Sequence, residues 1–281
     1  IMKPAPSEPE KIVESVENAI LEVCSENKIH LEQLASLGVC IAAFVDYQKG
    51  IVYESPNLGW HEPVPLQMLL QARLSCPVII ENDATAAVMG EVAYGAAQGH
   101  ENVIYVTLST GIGGGLFLNG QLYRGSNGFA GEIGHTKPFG KGRVCNCGGP
   151  DCLETWASGS AISRNAQLLW EKNALEKNHL STAWVFDQAE SGNTMAQEII
   201  EHAVHNVSTG LANLVTLLNP TCLVIGGGVA GNRVEFFNKI RAKITEYVIQ
   251  PPVTITKVEI VRAALEPEAG IWGMFAIMVN K

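Results

Sequence analysis

His135, Cys145, Cys147 and Cys152 are the residues whose types and spacing point most directly to a chemistry. Three thiols and an imidazole share one short stretch, with a Cys-x-Cys step and two glycines, Gly148 and Gly149, that let the backbone fold back. Thiolates and imidazole at this density close a tetrahedron around Zn²⁺, and four protein ligands with no open position make a structural site. Two carboxylates flank the cluster without being needed by the metal: Glu132 precedes His135 and Glu154 follows Cys152. A zinc knot therefore holds two acids and an imidazole edge near one point. Such a preorganised cluster suits a hydroxyl-rich ligand, each carboxylate accepting a hydrogen bond from a sugar OH.

A third acid, Asp83, follows Asn82 at the end of an apolar run, 77–81, that reads as a short strand. In α/β proteins the carboxyl ends of strands open onto the ligand cleft, where a carboxylate can take the proton of an attacking hydroxyl. Asn and Asp are equally good caps for the alanine-rich helix that follows to about Ala97, so cap and base both stay open here.

The elements that must position these groups alternate along the chain. Ser7-Glu8-Pro9-Glu10 reads as a capping box, and Ile12, Val16, Ala19, Ile20 and Val23 share one helical face after it. The continuous apolar run 37–45 reads as one strand buried on both faces. A loop over 56–60 and a helix over 64–74 precede the strand that ends at Asn82-Asp83. Residues 103–108 form a strand, followed by Gly111 and Gly113-Gly114-Gly115, then an alternating run closed by Asn119-Gly120. Asn-Gly between alternating runs signals a hairpin, so these glycines lie in a strand-turn-strand and not in a dinucleotide fingerprint. Helices are expected over 158–172 and, with interruptions, 194–218. A buried strand over 221–225 runs into Gly226-Gly227-Gly228, followed by a helix over 233–248, a strand near 258–261 and a helix over 268–278. Glycines between a strand and a helix let backbone N–H groups approach a ligand. The pattern is that of an α/β protein.

Bulk properties narrow the partners. At 281 residues the chain can form two modest domains sharing a cleft. A net charge of -9 argues against nucleic acid or an anionic membrane as the main partner. Of seven cysteines, Cys24, Cys40, Cys76 and Cys222 stand singly in apolar surroundings, as core residues of a protein in a reducing cytosol do. The sequence shows no amino-terminal apolar region and no long apolar run, so neither secretion nor membrane spanning is inferred and a cytoplasmic location is expected.

Residues 107–154, together with Glu81-Asn82-Asp83 and Gly226-Gly227-Gly228, resemble the ROK family of bacterial glucokinases, related hexose and N-acetylhexosamine kinases, and sugar-responsive repressors. The likeness spans nearly the whole chain. It implies an actin-like (ribonuclease H-like) two-lobed α/β fold with a structural zinc loop, sugar in the cleft, and a homodimer or homotetramer. It further implies a small lobe of 1–86 plus 266–281 and a large lobe of 87–265. Carried over residue by residue, it makes Asp83 the catalytic base and Asn57, Asn82, Glu132, His135 and Glu154 sugar contacts. Thr110 and Gly111 fall near the phosphates of ATP, Gly226, Gly227 and Gly228 near the nucleotide, and His135, Cys145, Cys147 and Cys152 on zinc. The activity implied is ATP- and Mg²⁺-dependent phosphorylation of a hexose, glucose foremost, at the 6-hydroxyl; the rivals are a sugar-sensing repressor core, an N-acetylglucosamine or N-acetylmannosamine kinase, and a kinase-like protein disabled by a missing phosphate motif. Family kinases open with a hairpin bearing Asp-x-Gly-x-Thr, which this sequence lacks between Ile1 and its first helix. The expectation is that a beginning is missing before Ile1, with Asp-x-Gly-x-Thr there favouring the kinase and a helix-turn-helix favouring the repressor.

Overall fold

The computed structural model describes residues 8–138, 142–172, 180–250 and 257–279. Ser7 of the expected capping box lies outside them. Helix α1 (Pro9–Asn27) starts on Pro9 with Glu8 at its N-cap and no side-chain cap. Proline fits there because its missing N–H is one the helix leaves unsatisfied anyway. Its buried residues are Ile12, Val13 and Cys24, while Val23 is exposed, so the buried stripe is turned relative to the expected one.

The run 37–45 is broken in two. β1 (Leu37–Ile41) and β2 (Phe44–Asp46) belong to different sheets: β2 pairs antiparallel with β3 (Ile51–Glu54), and β1 pairs parallel with β4 (Val78–Asn82). Between them the carbonyls of Ala42 and Ala43 leave the ladder, accepting from Ser55 Oγ at 2.9 Å and Asn82 Nδ2 at 3.2 Å. Both partners are remote in sequence, so the apolar run carries no sign of the break. β1 is half-buried along its length, not buried on both faces, and among the described residues it pairs with β4 alone. Helix α2 (Leu66–Leu74) begins later than expected because Val64 bridges to Val52 and Pro65 stands at the N-cap.

Helix α3 (Asp83–Tyr94) leaves β4 directly. The larger sheet has the order β7–β6–β5–β8–β9, from β5 (Val103–Leu108), β6 (Ile112–Leu118), β7 (Gln121–Leu122), β8 (Cys222–Gly226) and β9 (Glu259–Arg262). β5, β6 and β7 pair antiparallel, while β8 and β9 run parallel to β5. Asn119 (φ 53°) and Gly120 (φ 73°) turn the β6–β7 hairpin with both residues left-handed, as an Asn-Gly turn requires. Side chains of β5 alternate between the two faces. Ile104, Val106 and Leu108 enter the core formed with α4 (Glu154–Ala157), α5 (Gly159–Lys172), α6 (Thr182–Glu190), α7 (Thr194–Leu218) and α8 (Val234–Tyr247). Val103 and Tyr105 meet α3 and the start of α9 (Ala269–Val279). The expected interruptions in α7 are absent: it is one helix of 25 residues, and Gly210 is a contact point where a Cβ would lie 2.6 Å from Leu153 Cδ2.

α3 and α9 pack backbone to backbone. A Cβ on Gly273 would land on the Ala86 carbonyl oxygen, and one on Gly90 on that of Ala269. Gly273→Ala is therefore expected to lower stability by about 1–3 kcal/mol, or several degrees of melting temperature in a chain of this size. A thermal melt within about 1 °C of the parent would mean that the helices separate freely. Among the described residues, no helix is long and apolar enough to cross a membrane.

Candidate active site

A cleft of about 750 Å³ gathers Asn57, Asn82, Asp83, Glu132, His135 and Glu154 on its walls, with Thr110 and Gly111 beside them. They arrive from separate stretches of the chain. Asn57 sits in a 3₁₀ turn, Pro56–Leu58, and Asn82 and Asp83 at the junction of β4 and α3. Glu132 and His135 bracket a second turn, Ile133–His135, and Glu154 opens α4. That second turn lies flat on β6, where a side chain at Gly134 would strike the Ile112 carbonyl. Cap and cleft position fall to neighbouring residues. Asn82 caps α3, its Oδ1 accepting the Thr85 N–H at 3.0 Å, while Asp83, one residue on, faces the cleft.

The cleft concentrates negative charge. Burial pushes the Asp83 carboxyl up from the ordinary aspartate range, against the restraining Ala84 N–H that donates to Oδ1 at 2.9 Å. Glu132 is pushed up to about 7, first by burial and then by the neighbouring carboxylates of Asp83 and Glu154. Hydroxyl donors from a polyol would satisfy these acceptors without adding charge.

The zinc expectation meets a fitting donor set. His135 and the thiols of Cys145, Cys147 and Cys152 offer ligand atoms all within 4.8 Å of one another. Cys147 and Cys152 sulfurs are 3.6 Å apart, and Cys145 Sγ lies 3.8 Å from His135 Nδ1. A tetrahedron with Zn–S bonds of about 2.3 Å has edges of about 3.8 Å, so these separations suit the ion. Lys137 Nζ, 3.9 Å from Cys152 Sγ, offsets thiolate charge. His135 turns Nδ1 toward the thiols and Nε2 toward Glu132 Oε2, 3.7 Å away, while Glu154 Oε1 lies 3.1 Å from Cys145 Sγ. Metal knot and cleft therefore share a wall.

A second cavity, of about 500 Å³, adjoins the first and shares Asp83, Ala84 and Thr107 with it. Gly227, Gly228, Asn232 and Glu266 line its far side. Gly226 does not line it. It ends β8 fully buried, with the Glu266 carboxylate against it. The Gly227 N–H and the Tyr105 hydroxyl both donate to Glu266 Oε1, the latter at 3.3 Å, which fixes the glycine turn. Sequence reading missed Glu54, Ser160 and Arg164 in the first cavity and Glu266 in the second. Ser160 and Arg164 were within reach, being four apart on the helix α5 and so on one face; Glu54 and Glu266 carry no local signal.

Known proteins are similar to this chain in sequence and fold. The ROK family model matches residues 3–281. A glucokinase of Streptomyces coelicolor is 31% identical over 289 residues, covering 96% of this chain and 86% of that protein. The crystal structure of a ROK family glucokinase from Streptomyces griseus in complex with glucose and AMPPNP superposes with a TM-score of 0.84 at 28% identity. That superposition covers 100% of this chain and 91% of the other. A ROK hexokinase from Thermus thermophilus gives a TM-score of 0.83 at 30% identity, again over 100% and 91% of the two chains. The fold is the actin-like α/β class expected, and from a family match over nearly its full length, the chain belongs to the ROK family.

Proposed function

We propose that this chain is an ATP-dependent hexose kinase that transfers the γ-phosphoryl group of ATP to the 6-hydroxyl of glucose. The observation that carries this reading is that Asp83 lines both cavities, so one carboxylate stands where the contents of the two would meet. The glucose and AMPPNP bound to the Streptomyces griseus relative support the two ligands. In this reading a small lobe, 1–86 plus 266–281, and a large lobe, 87–265, face each other across the cleft.

The hexose occupies the first cavity. Glu132 and Glu154 accept its hydroxyl protons, and Asn57 and His135 add polar contacts. Asn82 keeps one amide hydrogen for the sugar after giving the other to the Ala43 carbonyl. Asp83 takes the proton of the 6-hydroxyl as that oxygen attacks phosphorus, and its burial-raised basicity favours the transfer. The nucleotide lies in the second cavity along Gly227 and Gly228, its terminal phosphates reaching Thr110 and Gly111, while Gly226, buried behind the two glycines, supports the turn. Mg²⁺, accompanying ATP, supplies charge neutralisation at the phosphate oxygens. His135, Cys145, Cys147 and Cys152 would hold zinc, which would fix the turn that carries Glu132 and His135. A homodimer or homotetramer and a cytoplasmic setting, which keeps zinc thiols reduced, belong to the same proposal.

A repressor core would use the first cavity alone and has no need of a carboxylate shared with the second. The test is ADP release with each of glucose, mannose, N-acetylglucosamine and N-acetylmannosamine, beside calorimetry of sugar binding. Glucose should give the highest turnover. Glu132→Gln should weaken glucose binding by about 1.5–3 kcal/mol, the range for a hydrogen bond to a charged group. Sugar binding without any sugar-dependent ADP release would move the reading to the sensor.

A further inference from the structure

Behind the two walls of the first cavity lies an ion pair that touches neither cavity. Glu81 is 3% exposed, and its Oε2 accepts from Arg124 Nε at 2.7 Å. Its other oxygen, Oε1, accepts the backbone N–H of Asn82 at 3.0 Å. Arg124 lies with its guanidinium 4.4 Å from the centre of the Tyr47 ring. The two residues come from opposite sides of the cleft. Glu81 stands in β4 immediately before Asn82 and Asp83, and Arg124 opens the loop that ends at Glu132.

That loop is pressed onto the β2–β3 hairpin at several points. The Ala130 N–H donates to Arg124 O at 3.1 Å, which closes the loop on itself. Gly128, at φ 87°, leaves no room for a side chain, since a Cβ would lie 2.7 Å from the Val45 carbonyl. Phe129 meets Phe44 edge-on, with ring centres 5.5 Å apart. Arg124 is thus held by a ring on one side and a carboxylate on the other, through one Nε–H bond and a planar guanidinium against the ring, which a lysine ammonium does not reproduce.

We propose that Glu81 and Arg124 are positioning residues: a buried clasp that sets the Asn82-Asp83 corner against the loop bearing Glu132, and so fixes the width of the sugar cavity. The clasp rests on the hexose reading of that cavity. A charge pair this buried holds its geometry more firmly than a surface pair, because either charge left alone is strongly disfavoured. A shift of about 1 Å at a reacting centre costs up to about 10²-fold in rate, so small displacements at this corner are amplified in catalysis.

The experiment measures glucose affinity by calorimetry, kcat, KM for glucose and for ATP, and melting temperature on Glu81→Gln, Arg124→Met, Arg124→Lys and the double variant Glu81→Gln/Arg124→Met. Glu81→Gln and Arg124→Met should each lower kcat/KM for glucose about ten- to a hundredfold and leave KM for ATP within about twofold. Arg124→Lys should recover part of the loss, and the double variant should be no worse than the poorer single, as partners in one contact behave. A merely structural pair would lower the melting temperature and leave the glucose affinity and kcat of the folded fraction at parental values; that result overturns the clasp. Should Glu81→Gln not fold, Arg124→Lys, which keeps the charge, decides by the same readouts. A parent that binds no hexose sinks the underlying reading, whereas a parent and a Glu81→Gln variant that bind glucose equally sink only the clasp.

Discussion

Asp83→Asn is expected to lower kcat by about 10²–10⁴-fold, the contribution of a positioned base, while the glucose dissociation constant stays within about tenfold. The amide keeps the shape of the side chain and can still accept the Ala84 N–H that now meets Oδ1. What it loses is basicity. Burial raises the Asp83 pKa, so in the parent the active, ionised form is lost on acidification at a higher pH than for an ordinary aspartate. With glucose saturating, the acid limb of kcat should therefore sit above about pH 4, the unperturbed aspartate value, and should vanish from the residual kcat of the variant, whereas kcat/KM keeps in both proteins the acid limb of Glu132, which is pushed up to about 7. Steady-state assays from pH 4 to 9 across both proteins make the comparison. A variant with turnover within a few-fold of the parent removes Asp83 from the proton transfer and leaves the cavities without a base between them.

The second large effect should come from Cys147→Ser. Cys147 is the exposed member of the knot, whereas Cys145 and Cys152 are buried, so its sulfur contributes little packing and a serine there costs nothing by volume. Any loss must then pass through the metal. Elemental analysis should find about one zinc per parent chain and less than about half of that in the variant. Since binding free energy of a structural zinc is also folding free energy for its loop, melting should fall by about 10 °C. That corresponds to about 4 kcal/mol in a chain of this length. Glucose binding should weaken with it, because His135 joins the knot to the sugar wall and Glu154 lies 3.1 Å from Cys145 Sγ. Parental glucose affinity in a zinc-free variant would separate the knot from the cavity.

Much of the site was legible because its chemistry is compressed into local sequence. His135, Cys145, Cys147 and Cys152 announce their cluster by spacing alone, and the Asn119-Gly120 turn announces the β6–β7 hairpin, at the far end of β6 from the turn that carries Thr110 and Gly111. Asn82 and Asp83 were legible as a pair but not as two roles, since the cap and the candidate base differ only in which way each side chain turns. The break in 37–45 was not legible, because the groups that draw off the Ala42 and Ala43 carbonyls, Ser55 and Asn82, arrive from elsewhere in the chain. The unbroken run of α7 was not legible either, since Gly210 within it makes room for Leu153, which lies far off in sequence. Glu81 and Arg124, 43 residues apart, form a pair that only the folded chain brings together.

A carboxylate that opens onto two cavities has a metabolic corollary. In the proposed mechanism an empty sugar side would fill with water, whose O–H would meet the same carboxylate as a sugar O–H. The carboxylate itself draws no distinction between the two nucleophiles. Discrimination rests on grip, since a hexose is held by side chains from both walls and a lone water is not. Well-oriented reactants gain effective concentrations of up to about 10⁵–10⁸ M, which is the margin separating useful phosphorylation from idle hydrolysis of ATP. Whatever loosens the sugar while leaving the nucleotide in place shifts the molecule toward squandering ATP, so the ratio of phosphorylated sugar to released phosphate gauges the integrity of the whole cavity.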